Sequence, residues 1–288
     1  MTWWLALVLV LAVTLGGCSQ EGKPTASGGQ QVAENQEASK AESQPPISPE
    51  PKQDKVTLTL YFADDQAMNV VPEERTVDKG NGNLEQLIVT ELLRGPQLDP
   101  TLRATLPQGT RLLSVETRDG ICYVNFSKEV QTKHWGGSAG ESMTIQSVVN
   151  SLTELPNVKA VQFLLEGKKE ESIWGHGITS EPIERHITTG SIYNSPERLK
   201  WLQEDRVNKG LDKWRIDPLQ VAKREGGIAG FLKTDVMKLI TTGASGKEVT
   251  GQAAVEVTHE GAEYRITLTQ FGGPDPNHIW VIDAVEKA

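Results

Sequence analysis

Two periods organise the apolar residues of this chain. From Val56 to Phe62 apolar and β-prone residues run together as a strand, and after a polar turn over Asp64 to Asn69 the stretch Val70 to Val77 returns as a second, interrupted by Pro72 as at a sheet edge. Leu84, Leu87, Ile88 and Leu92 then fall at i, i+3, i+4 and i+8, the stripe of a helix lying on a sheet, and Arg94-Gly95-Pro96 stops it. Thr110 to Val115 and Ile121 to Phe126 are β-prone runs joined by Thr117-Arg118-Asp119-Gly120, which reads as a hairpin. Ser138 to Glu141 has capping-box spacing ahead of a second amphipathic stretch through Ile145, Val148, Val149 and Leu152, and Val158 to Leu165 closes the pattern as a strand. The order ββ-α-ββ-α-β predicts an α+β domain: one sheet with two helices packed on one face.

Beyond residue 168 the pattern thins. Residues 169–195 mix charge, glycine and isolated apolar residues and read as a linker with one short strand. Residues 196–288 read as a second small α+β domain, helices then antiparallel strands. Pro196 to Lys209 is expected as a helix, Asp217-Pro218 opens another, and Phe231 to Ile240 is expected as a third. Ala253, Val255 and Val257 alternate into a turn at Glu260-Gly261, Tyr264, Ile266 and Leu268 alternate back, and Ile279 to Ile282 pairs beyond them. Trp201 and Trp280 fall at core positions of these elements.

The first eighteen residues give an address. Trp3 to Leu15 is apolar apart from Thr14, about thirteen residues, against the roughly twenty a bilayer-spanning helix needs. That length suits the apolar region of a signal peptide. Leu15-Gly16-Gly17-Cys18 resembles a bacterial lipobox, which would make Cys18 the lipid-modified first residue of the mature chain, although no Lys or Arg precedes the apolar run. The alternative is an uncleaved N-terminal anchor. Both readings put the body of the protein outside the cytoplasm, with the membrane as a partner through the anchor. Residues 19–55 are rich in Gln, Glu, Ser, Gly and Pro and nearly free of aliphatics, so they read as a disordered tether. Its r.m.s. span is about 35 Å.

Leu92-Leu93-Arg94-Gly95-Pro96, Leu106-Pro107-Gln108-Gly109-Thr110, Gly120 with Val124-Asn125-Phe126-Ser127, Gly136 to Glu141, and Val158 and Val161 leading to Glu166-Gly167 are the residues on which a family resemblance rests. Together with Tyr61-Phe62-Ala63-Asp64 and Val71 to Arg75, they make residues 56–168 similar to the GerMN domain of sporulation and spore germination proteins. The resemblance implies an extracytoplasmic, often lipid-anchored protein that is not an enzyme and works in assembling envelope or sporulation complexes. Members often carry two such domains, and this chain shows one.

Charge and candidate chemistry change that picture little. With 29 Lys and Arg against 38 Asp and Glu the net charge is −9, and no basic patch stands out, which excludes nucleic acid as a partner. Cys122 reads as a small core hydrophobe beside Tyr123. Gly136-Gly137-Ser138-Ala139-Gly140 matches the G-x-S-x-G nucleophile elbow, but the nearest strand ends at Phe126, so a serine hydrolase using Ser138 is the least favoured reading. Gly243 to Lys247 is expected as a turn, because Glu248 stands where a phosphate loop needs Ser or Thr. The five histidines lack metal-ligand spacing, and Asp64, Asp65, Glu73 and Glu74 read as a solvated turn, so neither metal nor cofactor is expected. Trp135, Ser138 and Trp174 are the candidate binding-surface residues.

Three readings follow. The favoured one is a non-enzymatic, lipid-anchored assembly or scaffold module whose sheet edge and helix face dock envelope or sporulation-complex proteins. The second is a peptidoglycan-binding module that uses Trp135 and Trp174. The third is the hydrolase.

Overall fold

The computed structural model describes residues 54–80, 82–245 and 248–288, with the side chains of 241–250 left aside. Cys18 and the stretch expected as a tether lie outside the described residues. So do Gly246 and Lys247, although Ser245 pairs with Glu248 across the segment expected to turn. Among the described residues no helix is long and apolar enough to cross a membrane.

The order begins β1 (Lys55–Ala63), β2 (Val70–Asp78), α1 (Leu84–Arg94), β3 (Leu112–Arg118), β4 (Ile121–Phe126), α2 (Glu129–Thr132), α3 (Gly137–Leu152) and β5 (Ala160–Leu165). The α+β class holds, but the strands divide between two sheets instead of joining one. β1 and β2 form an antiparallel pair from Lys55↔Asp78 to Ala63↔Val70. β3, β4 and β5 form the other sheet, with β4 and β5 parallel because the chain crosses over through α2 and α3. The β3–β4 hairpin turns at Asp119 and Gly120, both at positive φ, the geometry that matches the twist of a two-residue loop. The inner face of β1 packs with α1, α3 and the second sheet around Leu60, Phe62, Ile88, Phe126, Val148 and Phe163. Burying each such side chain contributes about 1.5–3 kcal/mol.

α1 starts and stops as its sequence dictates: Asn83 Oδ1 accepts Gln86 N–H at 2.8 Å, and Gly95, at φ +78°, donates to Leu92 O. The start of α3 is different. The expected capping box at Ser138 to Glu141 does not form. The helix begins at Gly137 behind a left-handed Gly136, and Glu141 turns its carboxylate to a distant loop instead. Behind α1, buried Arg75 donates from Nη1 to Glu91 Oε2 at 2.8 Å and from Nη2 to Gly95 O at 2.9 Å, while Glu73 Oε2 accepts Leu98 N–H at 2.9 Å. These bonds fix the loop that carries Leu98 and Asp99.

The segment expected as a linker is tied to both halves. It carries two short strands, β6 (Ile183–Glu184) on β5 and β7 (Gly190–Ser191) on the C-terminal sheet. Next come α4 (Pro196–Trp201) running into a π-helical turn, Leu202–Val207, a 3-10 turn Lys213–Ile216, and α5 (Pro218–Glu225), capped by Asp217. The expected third helix is a strand, β8 (Val236–Ser245). Asp235 Oδ2 accepts Leu232 N–H at 2.8 Å to make a turn there, and from Val236 to Ile240 exposure alternates residue by residue. That period of two sets Met237 and Leu239 inward and overrides the helical spacing of the apolar residues. With β9 (Glu248–His259), β10 (Ala262–Gln270) and β11 (Trp280–Lys287) it completes a sheet ordered β7-β11-β10-β9-β8 around a second core that includes Phe231, Val255, Ile266 and Val285.

The described residues belong to one compact unit. Arg185 spans its two cores, donating to Phe231 O at 3.0 Å and pairing with Glu154 Oε1 at 2.9 Å; the same oxygen accepts the Tyr61 hydroxyl at 2.7 Å. Gly227 packs so tightly on that hydroxyl that a Cβ would collide with it. Among the described residues β3 is an open edge of the β3-β4-β5-β6 sheet, with Leu113 44% exposed, and β8 is an open edge of the C-terminal sheet.

Candidate functional site

Between β4 and α3 the chain makes a short helix and a glycine-rich turn, and the turn lifts Trp135 onto the surface. Gly140 makes this possible. A Cβ there would run into the Trp135 carbonyl oxygen, so only glycine lets the first turn of α3 pass beneath the loop. Trp174 arrives from the chain beyond β5 and is fixed by its indole N–H, which donates to Val130 O at 2.8 Å. Gln131 donates from Nε2 to Ile173 O at 2.7 Å, stitching the two loops together.

His134 sits between the tryptophans. Its ring centroid lies 5.8 Å from that of Trp135, nearly parallel, and 5.4 Å from that of Trp174, which meets Phe163 edge-on at 5.8 Å. Four rings thus run from solvent to the first core. His134 Nε2 is 2.9 Å from Thr144 Oγ1, and that hydroxyl lies within reach of Thr105 O and Gly140 O. When the single hydroxyl proton goes to a carbonyl, the contact is made by His134 with its proton on Nε2. Burial lowers the His134 pKa, with Glu141 opposing, which favours the neutral ring.

The opposite wall is held by Glu141, only 2% exposed. Its carboxylate accepts the Gly177 N–H at 2.6 Å and the His176 N–H at 3.1 Å, and faces His176 Nδ1 at 2.9 Å. The result is a groove of about 460 Å³ lined by Gln131, His134, Trp135, Trp174 and His176. It offers aromatic faces and hydrogen-bonding groups, suited to a sugar ring or a partner's side chain.

Of the predicted residues, the structure brings Trp135 and Trp174 together although they are far apart in sequence. Ser138 is exposed on the first turn of α3, outside the groove lining, and among the described residues no histidine hydrogen-bonds to it. Cys122 is buried in the first core, and burial pushes its thiol up to about 11. Among the described residues no three His, Cys, Asp or Glu side chains are placed to hold a metal ion. Sequence reasoning missed His134, Thr144 and Glu141. A signal for Glu141 exists: it stands four residues before Ile145 and seven before Val148, an acid on the buried stripe of the helix.

Residues 59–171 match the sequence model of the Germane family, described as sporulation and spore germination. The spore germination protein GerM of Bacillus subtilis (strain 168) is 28% identical over 147 residues, 47% of this chain and 38% of GerM. The match therefore spans well under half of that relative's length. Among solved structures, the tandem GerMN domains of the sporulation protein GerM from Bacillus subtilis are 24% identical over 48% of this chain and 49% of that one, with a TM-score of 0.39. The first GerMN domain of the same protein is 22% identical over 45% of this chain and 98% of that one, with a TM-score of 0.37.

Proposed function

Taking as premise that the chain carries a GerMN domain at residues 59–171, we propose that it is a lipid-anchored, extracytoplasmic assembly module that acts in spore formation or germination without catalysing a reaction. Cys18 carries the anchor and the residues after it hold the folded part away from the membrane. The observation that carries the docking role is the open edge of β3. This seven-residue strand lies within the family-matched region, its outer side pairs with no strand among the described residues, and Leu113 stands exposed on it. An unpaired edge of this length accepts a strand from another protein through main-chain hydrogen bonds. The β8 edge offers similar geometry but lies outside the region the family covers.

Complementation of a deletion strain tests this, with the titre of heat-resistant spores as the readout. Wild type restores the titre, whereas Cys18→Ala and the edge-blocking Leu113→Lys do not. Full restoration by both variants would contradict the reading.

A second reading is supported by the groove itself. Trp135, half exposed and stacked on His134, faces the same groove as Trp174, and sugar rings stack on such surfaces. Under this reading the module holds peptidoglycan. Co-sedimentation with purified sacculi that is lost in Trp135→Ala supports it, and an unbound wild-type protein ends it.

A further inference from the structure

Besides the groove, Trp135 lines a second cavity of about 180 Å³, whose other walls come from the polar turn after β1 and from residues 103–105. Ala63 and Met143, both buried, and half-buried Ala67 supply its apolar lining. Backbone bonds hold the walls in place. Ala63 and Arg103 exchange N–H···O bonds of 3.1 and 2.8 Å, and Asp64 Oδ1 accepts the N–H groups of Gln66 and Met68, each at 3.0 Å, while Oδ2 accepts that of Asn69 at 2.8 Å. The turn expected as solvated is thus built around a carboxylate that is only 4% exposed.

Asp65 lines the same cavity and is left short of donors. Among the described residues it forms no ion pair, Gln66 Nε2 reaches its Oδ2 at 3.3 Å, and Oδ1 has no partner. An ionised carboxylate offers about four acceptor positions, so most of this one's capacity is unused. Arg103 also lines the cavity, but it is exposed, and its Nη1 is held by the carbonyls of Pro100 and Leu102, each at 3.1 Å. Two carboxylates against one guanidinium leave the lining with a net negative charge. The cleft between the two cores is different, because its ions are spent on one another: Arg198 pairs with Asp99 and Glu225, Arg215 with Glu225, and Arg206 with Asp212.

We infer that this cavity receives a primary ammonium on an aliphatic stem, the side chain of a lysine presented by a partner protein, with Asp65 meeting the ammonium and Trp135 and Met143 covering the stem. The net charge of the lining favours a cation over an acid. The Trp135 ring attracts a cation placed within about 6 Å of its centroid, and Ala63, Ala67 and Met143 give the methylenes apolar contact. Shape separates lysine from arginine. A guanidinium fork engages both oxygens of a carboxylate, and Gln66 already occupies Oδ2, whereas a compact ammonium needs only one free position. The volume admits one unbranched side chain and excludes a chain of sugars. The inference rests on neither reading of function above, since it uses neither the β3 edge nor, Trp135 apart, the groove.

Calorimetric titration of the full chain in detergent tests the assignment, using acetyl-lysine amide, acetyl-norleucine amide, which keeps the stem without the charge, acetyl-arginine amide, acetyl-glutamate amide and the free diamine cadaverine. Saturable binding of the lysine derivative, tighter than that of any other probe and absent for the glutamate derivative, is expected. Asp65→Asn keeps the shape of the turn and weakens lysine binding about fivefold with the thermal midpoint unchanged. Trp135→Ala weakens it to a similar degree. His176→Gln, on the groove's wall and outside the cavity, leaves it unchanged. No saturable lysine binding, equal binding of the norleucine or arginine derivative, binding of the glutamate derivative in its place, or affinity unchanged in Asp65→Asn would each overturn the proposal. So would cadaverine binding more tightly than the lysine derivative, or a loss in His176→Gln matching that in Trp135→Ala.

Discussion

In the groove beside α3 the working side chains are rings. His134 stands 5.8 Å from Trp135 and 5.4 Å from Trp174, burial lowers its pKa, and a buried carboxylate, Glu141, ties down the opposite wall. In the cleft between the cores the working side chains are ions. Arg198, Arg215, Asp99 and Glu225 meet at 2.8 to 2.9 Å with almost no exposure. The first surface is open and changeable at little cost to the fold, whereas the second is part of what holds the two halves together. The difference shows where a substitution tests binding and where it tests folding first.

Arg198→Ala should separate the two regions most sharply. It strands Asp99 and Glu225 without their shared partner, and removing one member of a buried ion pair costs about 3–5 kcal/mol. Urea denaturation reads this directly, and a cost below that of any groove substitution would erase the distinction.

Acid comes next. Burial alone would raise the Glu225 pKa, but Arg215 and Arg198 outweigh it and hold the group at about 2, against an ordinary 4.5. A carboxylate whose folded pKa is depressed contributes stability that is complete above its unfolded value and is lost as pH falls toward the folded one. The denaturation midpoint should therefore drop between pH 4.5 and pH 2. In Glu225→Gln the slope over that window should flatten.

Glu141→Ala, within the groove, leaves the Gly177 and His176 N–H groups without their acceptor and should cost about 1–3 kcal/mol. Limited proteolysis at 175–178 should accelerate in parallel. Trp135→Ala, half exposed and at the groove's mouth, should move stability by no more than about 0.5 kcal/mol while changing what the groove holds. A large loss of stability there would mean that the loop is structural.

These contrasts follow what was legible along the chain. α1, the β3–β4 hairpin and the alternating strands β9 and β10 announce themselves because their periods and turn residues are local. β8 reads as a helix in sequence because Leu232, Val236, Leu239 and Ile240 fall at i, i+4, i+7 and i+8, and only the sheet decides in favour of the period of two. The division of the first domain's strands into two sheets depends on pairing between distant segments, which no window of sequence contains. The tryptophans of the groove were visible as exposed aromatic candidates, but their meeting was not, since 38 residues and a whole helix and strand separate them. Trp201 reads as core, yet it is half-buried and lines the cleft. The cleft was hidden for the same reason as the groove: Asp99 and Arg198 are 99 positions apart, and nothing in either neighbourhood marks them as partners.

The proposed function rests on docking of another protein against the β3 edge at the membrane surface. Its most direct test is site-specific photo-crosslinking in cells at the stage when the protein acts, with a benzophenone side chain placed at Leu113 and, as control, at the exposed Leu211 in the C-terminal half. A discrete adduct from position 113 that is absent from position 211 and lost in Cys18→Ala is the expected result. No adduct from position 113, or the same adducts from both positions, would contradict the claim.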